Sequence, residues 1–250
     1  MTTASEASDQ TAIPILEIGR TWMSDPATAA IAGELGLPPG FGFWVHGRAG
    51  VLGDVHADVA ASALGIMAPD LVAKVWAQRP EQVPARDIAA AFARAAADWG
   101  RRTFVDVDDA DLDRLSGLGQ SVVDAALPVV GALFAGWRTM DAPADAAGRA
   151  THVLQVLREM RGGAHLSAIQ SVGLTPEHAI MSFTADQVRG GTAGAERFGW
   201  TPPHPQPDEP AKAQAEIATT AACVHAYEAL TEAERTEFVD LVDRVRSTFP

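Results

Sequence analysis

The sequence is poor in the residues on which several large protein classes depend. It contains one cysteine, Cys223, in 250 residues. A disulfide framework is therefore excluded, and a cytoplasmic protein is expected. No apolar run approaches the 18 residues of a membrane-spanning helix. The first twelve residues are polar and acidic, without the basic and apolar regions of a signal peptide, and a disordered tail is predicted there.

Positive charge is also scarce. The formal net charge is −13, and Lys74 and Lys212 are the only lysines. Proteins that bind nucleic acid or anionic membranes through phosphates usually present a basic face. The one adjacent basic pair, Arg101 and Arg102, runs directly into an acidic stretch. The charge balance therefore argues against both kinds of partner.

Common catalytic and metal-binding motifs are missing as well. The seven histidines form no HExxH pair and no Cys/His spacing, so no metal site is predicted. There is no nucleophile elbow, P-loop or dinucleotide fingerprint. Cys223 and His225 are two residues apart, a spacing that does not bring side chains together on a helix. A buried structural thiol is the favoured interpretation of Cys223.

What the sequence does contain is a series of helix signals. Helix starts are predicted at Asp25-Pro26, Asp54, Pro69, Pro84, Thr175 and Thr231. Pro128 interrupts a long apolar stretch, which predicts two helices or one kinked helix. Strand signals are nearly absent. The predicted fold class is all-α, a multi-helix orthogonal bundle.

A Pro-rich segment divides the chain. Residues 201–210 cannot form a regular helix and are predicted to be a linker. Residues 1–12 form the predicted tail and residues 13–200 a helical ligand-binding body. Residues 211–250 form a helical pair too short for a core of its own. That pair is expected to pack on the body or on a second subunit, which would make a homodimer.

The densest polar cluster lies between Arg149 and His165. Apolar residues at helical spacing predict a core-facing stripe, and Gly162-Gly163 is the predicted end of the helix. His152 and Glu159 lie seven residues apart and share a neighbouring face. A second unusual segment, residues 36–53, contains six glycines beside aromatic residues and is predicted not to be regular helix.

These two segments suggest three functions. The first is small-molecule binding in a pocket between them, because polar groups face apolar walls in both. The proposed ligand-binding residues are Trp44, His46, Arg48, His152, Arg158, Glu159, Met160, Arg161 and His165. The second is an enzyme that transfers protons on a small acidic or aromatic metabolite in the same pocket. Non-covalent haem is a candidate cofactor for that enzyme, because His and Met can be axial ligands. A purely structural role for the cluster is the alternative to both.

Four runs in this order carry a family resemblance: FGFWVHGRAGVLGD, APDLVAKVWAQRP, HVLQVLREMRGGAHLSAI and RFGW. They resemble a family of uncharacterised actinobacterial proteins labelled helix-turn-helix or MarR-like, over residues 13 to 200 and the final helical pair. The resemblance implies an all-helical body with a small-molecule pocket and a winged-helix region. Here the Pro-rich linker follows Gly199-Trp200 almost at once, so much of that winged-helix region is expected to be missing.

The label suggests a third function, a transcriptional regulator. One candidate helix-turn-helix lies at residues 165–183, with its turn at Gly173. Its second helix offers Glu177 and His178 but no arginine or lysine. Those side chains are poorly suited to phosphates and guanine edges. Ordinary helix packing explains the same pattern.

Overall fold

The computed structural model describes residues 1–182 and 190–250, and these residues form α-helices without any β-strand. The prediction of an all-α, multi-helix bundle is therefore confirmed. Within the same two ranges, every helix is too short or too polar to cross a membrane.

Short loops join most of the helices, and two 3₁₀ turns occur at Gly50–Leu52 and Pro128–Val130. In chain order the helices are α1 (Ala4–Gln10), α2 (Ala12–Met23), α3 (Pro26–Glu34), α4 (Gly42–Ala49), α5 (Ala57–Leu64), α6 (Pro69–Trp76), α7 (Ala85–Thr103), α8 (Asp109–Ala125), α9 (Ala132–Trp137), α10 (Ala146–Ser171), α11 (Pro176–Met181), α12 (Gly191–Arg197), α13 (Glu209–Tyr227) and α14 (Glu232–Arg246).

Helix α10 is the centre of the bundle and packs against α2, α7, α8, α9 and α13. Glycines on its neighbours allow this close packing. A Cβ on Gly119 of α8 would lie 2.9 Å from Cγ2 of Val153, and one on Gly100 of α7 would overlap the hydroxyl of Thr151. Because α10 has neighbours on most sides, the polar residues in its middle, Thr151, His152, Gln155 and Glu159, are buried.

Helix α10 does not end at Gly162-Gly163, and the prediction of a stop there was wrong. The helix continues to Ser171, and Gly173 at φ +80° follows it. Gly163 serves close packing instead. A Cβ on it would overlap the carbonyl oxygen of Val130 and lie 2.9 Å from Cα of Gly131. The glycine lets the loop after α8 lie directly on α10.

The glycine-rich segment at residues 36–53 also differs from its prediction, because it contains helix α4. Its glycines again mark close contacts. A Cβ on Gly47 would overlap the ring of Phe92, and one on Gly50 would overlap the carbonyl of Ala85. Helix α4 therefore packs tightly against α7, which fixes the side chains on its other faces.

The N-terminal segment is not the tail that its composition predicted. Thr3 and Glu6 form a capping box that starts α1, and Ala7 is fully buried. The Thr11 hydroxyl lies 3.1 Å from the Tyr227 hydroxyl. These contacts place α1 against α13 and α14.

The Pro-rich segment is non-helical from residue 201 to 208, and α13 begins at Glu209. After it, α13 packs on α10 and α8, and α14 on α8 and α2. The C-terminal helices therefore complete the core of the same chain.

Two further predictions have definite outcomes. The stretch around Pro128 forms two separate helices, α8 and α9, with the 3₁₀ turn between them. Asp54 does not cap α5. The cap is His56, whose Nδ1 accepts from the backbone N–H of Asp58 at 3.3 Å, while Asp54 accepts from Arg79 and Ala85.

Candidate functional site

The two segments that the sequence singled out meet in a buried ion pair. Arg48 of α4 donates from Nε and Nη2 to the two carboxylate oxygens of Glu159 on α10, both at 2.8 Å. The side chains of Arg48 and Glu159 are 8% and 1% exposed. Trp44 stacks on the Arg48 guanidinium, 4.3 Å from its ring centroid. This bidentate geometry fixes α4 on α10.

Other polar groups crowd the same carboxylate. Gln155 donates from Nε2 to Oε1 of Glu159 at 2.7 Å, and Arg158 donates from Nη1 to the same oxygen at 3.3 Å. Arg20 of α2 lies close enough for its charge to act on Arg158. We call Arg20, Arg48, Gln155, Arg158 and Glu159 the arginine centre. It holds three guanidinium groups and one carboxylate.

The arginine centre has hydrogen-bonding capacity left over. Arg158 Nε and Gln155 Oε1 are buried without a partner. Among the described residues, no acceptor lies within hydrogen-bonding distance of Arg158 Nη2 either. Arg48 uses its Nε and Nη2 edge to hold Glu159, whereas the Nε of Arg158 packs against α2, where a Cβ on Gly19 would lie 2.8 Å from it.

The ionisation states follow from burial and from these charges. Burial alone raises the pKa of Glu159. The charge and hydrogen bonds of Arg48, together with Arg158 and Gln155, outweigh it, so this pKa lies below its usual value. Burial, and then the charge of Arg48, lower the pKa of Arg158 to about 10 although Glu159 opposes the shift. Both groups are charged at neutral pH.

His46 lies on α4 but faces away from the arginine centre. Its Nε2 is 3.0 Å from the Val75 carbonyl oxygen, and its ring stacks on Trp76 with centroids 5.0 Å apart. Burial lowers the pKa of His46 to about 4, against the hydrogen bond to Val75. His46 is therefore neutral at physiological pH and links α4 to α6.

The remaining predicted residues lie in three other places. His152 is buried beside Trp137, with ring centroids 6.5 Å apart, and burial lowers its pKa. Met160 is a core residue, 1% exposed. Arg161 and His165 face α13 and form no part of the arginine centre.

The cluster at α13 is more exposed. Arg161 donates from Nη2 to Glu216 at 3.1 Å. Nδ1 of His165 lies 3.1 Å from the Thr219 hydroxyl. Because that hydroxyl donates to the Ala215 carbonyl, His165 is the donor to Thr219. We call Arg161, His165, Glu216 and Thr219 the α13 cluster.

Helix-turn-helix connectivity occurs in α10 with α11 and in α5 with α6. The predicted pair is α10 and α11, joined through Gly173 and a capping box at Thr175. The last residue of that predicted pair, Phe183, lies outside the described residues. The second pair is α5 and α6. Four residues join these helices, beginning with Gly65 at φ +72°, and α4 packs on both.

The turn between α5 and α6 is covered by residues 198–200. The N–H of Ala68 donates to the Phe198 carbonyl at 2.8 Å, and Trp200 Nε1 donates to the Ile66 carbonyl at 3.0 Å. On α6 itself the exposed polar residues are Asp70 and Lys74. The surface of α6 therefore carries little positive charge.

The model of a helix-turn-helix family matches residues 17–209. The chain belongs to this family. No curated protein and no solved structure gives a significant match. The matched range includes α5 and α6, the arginine centre and the α10–α11 pair.

Sequence reasoning missed Arg20 and the α5–α6 pair. The signal for the pair was present, because helix starts near Asp54 and at Pro69 were each predicted. The sequence alone did not identify the two helices as one helix-turn-helix unit. Arg20 offered a weaker signal, as the only cation of the mainly apolar helix α2. Its nearness to Arg158 depends on how α2 packs on α10.

Proposed function

We propose that this protein binds a small carboxylate at the arginine centre. The observation that carries the proposal is the surplus of charge there: Arg48 and Arg158 share the single carboxylate of Glu159, and Arg20 adds its charge to that of Arg158. Glu159 balances one positive charge, and Arg48 already holds it in a bidentate contact. Arg158 remains in excess, whereas Arg20 has Glu17 nearby as a counter-charge.

A surplus of positive charge destabilises a folded core. Taking an ion out of water costs several kcal/mol unless a counter-charge and hydrogen bonds replace the lost water. Arg158 Nε has no acceptor, and the Arg158 side chain is only 12% exposed. An anion bound to Arg158 at the surface would supply the missing counter-charge.

The planar shape of the Arg158 guanidinium favours a carboxylate as the ligand. A guanidinium edge donates two parallel hydrogen bonds, which match the two oxygens of a planar carboxylate. Arg48 and Glu159 show that geometry within the same centre. The ligand would dock on Arg158 where this side chain reaches the surface, beside Arg20.

Thermal unfolding tests this proposal. Sodium benzoate, sodium acetate and sodium phosphate are each compared with sodium chloride at equal ionic strength. A carboxylate at ten times its dissociation constant is expected to stabilise the fold by about 1.4 kcal/mol. The Arg158→Met variant should lose this response, while the control Arg244→Gln, an exposed arginine on α14, should keep it.

Two results would contradict the proposal. One is wild-type protein that gains no stability from either carboxylate over chloride. The other is an equal gain in Arg158→Met, which would place the anion elsewhere.

Membership of a helix-turn-helix family favours a second function, DNA binding through α5 and α6. The connectivity of this pair supports it, with α6 in the position of the helix that enters the major groove. The test is a gel-shift titration with duplex DNA from 50 to 200 mM salt. Specific retardation that weakens with salt, and that Lys74→Ala reduces, would support DNA binding. No retardation at 50 mM salt would exclude it.

A further inference from the structure

His204 of the Pro-rich segment lies between two carboxylates. Its side chain is 8% exposed. Nδ1 is 2.7 Å from Oε1 of Glu177 on α11, and Nε2 is 3.9 Å from Oε1 of Glu196 on α12. One imidazole ring therefore joins three separate parts of the chain: α11, α12 and the Pro-rich segment.

The two nitrogens of this ring differ in their hydrogen bonding. A carboxylate only accepts hydrogen bonds, so Nδ1 carries a proton and donates it to Glu177. Nε2 is buried and has no hydrogen-bond partner among the described residues. In the neutral ring Nε2 carries a lone pair, which lies 3.9 Å from the negatively charged Glu196 oxygen. The hydrogen bonding of the ring is complete only when Nε2 also carries a proton.

A proton fits this gap better than a metal ion does. A metal ion that bound both Nε2 and Glu196 would need further protein ligands. The described residues contain no group of three acidic, histidine or cysteine side chains that could hold such an ion. Nε2 is also shielded from solvent, so bulk water does not replace those ligands. A proton needs no added space and turns the lone pair of Nε2 into a donor toward Glu196.

Other ionisable groups on the neighbouring elements are engaged elsewhere. His178 closes the capping box of α11, and Asp208 caps α13. Arg197 of α12 lies over an aromatic ring, and Lys212 of α13 donates to a backbone carbonyl. Among the residues that the structure describes, the two glutamates are the charged groups that contact the His204 ring.

This cluster is linked to the α5–α6 pair through residues 198–200. Phe198, directly after α12, accepts from the Ala68 N–H, and Trp200 donates from Nε1 to the Ile66 carbonyl. Ile66 and Ala68 both lie in the turn between α5 and α6. A shift of α12 away from α11 would therefore loosen the residues that cover this turn.

We infer that His204, Glu177 and Glu196 form a pH-sensitive latch that holds residues 198–200 over the α5–α6 turn. In acid, the imidazolium donates to both glutamates and holds α11, α12 and the Pro-rich segment together. At higher pH, Nε2 loses its proton, its lone pair repels Glu196, and the cover opens more often. The latch shares no residue with the arginine centre, so the inference does not depend on anion binding there.

Hydrogen exchange of the Trp200 indole N–H, followed by NMR on the full-length protein, tests the latch. Its protection factor, which is corrected for the intrinsic effect of pH on exchange, is measured from about pH 5 to 8, the range in which histidine changes charge. It should fall about two- to five-fold as the pH rises, the size of a partly exposed ion pair. Long-range ¹H–¹⁵N spectra should show Nδ1 of His204 protonated throughout and Nε2 protonated only in acid.

Two variants and two controls assign the effect to the latch. His204→Asn and Glu196→Gln should each make the Trp200 protection factor nearly independent of pH. Glu196 is 56% exposed, so Glu196→Gln decides the question even if His204→Asn fails to fold. Its carboxamide can donate to the neutral ring or accept from the protonated one. His225→Asn removes an exposed histidine that also pairs with a glutamate and should behave as wild type. The indole N–H of the buried Trp137 reports global unfolding.

The inference is overturned if the wild-type protection factor of Trp200 does not fall between pH 5 and 8. It is equally overturned if either variant keeps the full pH dependence, or if Trp137 loses protection in parallel with Trp200. A neutral His204 ring with its proton on Nε2 would also contradict it.

Discussion

Helix α10 contributes to two polar clusters in which arginine pairs with glutamate, and the two clusters differ in burial. In the arginine centre, Glu159 is 1% exposed and accepts from three side chains. In the α13 cluster, Glu216 is 43% exposed and accepts from Arg161 at 3.1 Å. The difference arises because α4 and α2 cover the first cluster, whereas only α13 flanks the second.

Burial changes what an ion pair does. An exposed pair is surrounded by water and contributes little to stability. A buried charged group has lost its water and depends on its partners for compensation. An excess of one charge in such a place therefore favours the binding of a counter-ion. The arginine centre has such an excess, and the α13 cluster does not. Four predictions test this contrast, from the largest effect to the smallest.

Removing the charge of each glutamate should give unequal results. Glu159→Gln leaves the surrounding guanidiniums without a counter-charge and should lower the free energy of unfolding by about 3–5 kcal/mol. Glu216→Gln should lower it by less than about 1 kcal/mol. Urea denaturation at pH 7 measures both. Equal losses would show that the two clusters do not differ in energetic role.

The pH dependence of stability should follow His46, the buried histidine of α4. The pKa of His46 is about 4 in the folded protein and about 6.5 when unfolded. Between these values only the unfolded chain binds the proton. The free energy of unfolding should therefore fall as the pH drops from 6.5 to 4, by up to about 3 kcal/mol.

The His46→Asn variant should lose this pH dependence. His165→Asn, in the α13 cluster, provides the comparison, since burial also lowers the pKa of His165. Denaturation curves at several pH values test the pair. The expectation would be contradicted if His165→Asn removed more of the pH dependence of the free energy of unfolding than His46→Asn does.

Replacing the adjacent glycines Gly162 and Gly163 by alanine should change the stability of the protein in opposite directions. Gly163→Ala forces a Cβ onto the Val130 carbonyl and should destabilise the protein by about 1–3 kcal/mol. Gly162 has no atom within 4 Å of an added Cβ, so Gly162→Ala should stabilise the helix by about 0.5–1 kcal/mol. Thermal unfolding compares them. Equal changes would mean that the contact with Val130 does not govern this position.

The Arg161–Glu216 pair should show the smallest effect. A double-mutant cycle with Arg161→Met and Glu216→Gln should give a coupling below about 1 kcal/mol, and 1 M salt should remove most of it. A coupling above 2 kcal/mol that persists in salt would place this pair in the same class as the arginine centre.

Local sequence patterns predicted much of the fold. The caps at Asp25 and Thr231 and the break at Pro128 correspond to observed helix ends. The glycines were misjudged because Gly47 and Gly163 serve contacts with residues distant in sequence, Phe92 and Val130. Such contacts leave no local signal, so α4 and the full length of α10 could not be predicted.

The same reasoning applies to the candidate site. Arg48 and Glu159 were both singled out, and the structure brings them together across 111 positions of sequence. Helical spacing placed His152 near Glu159, yet His152 lies beside Trp137. Arg161 and His165 face α13 because successive turns of α10 meet different neighbours. Spacing predicts a shared face, and only packing decides what covers it.

The most direct test of the arginine centre is the side-chain Nε–H signal of Arg158 in ¹⁵N-edited NMR, assigned by its loss in Arg158→Met. Nε has no acceptor in the structure. Titration with sodium benzoate should shift this signal and saturate, because a carboxylate that binds the exposed side of the guanidinium changes the electronic environment of Nε. The Arg244 signal should not move. A signal for Arg158 that stays in place at saturating benzoate would contradict anion binding at this centre.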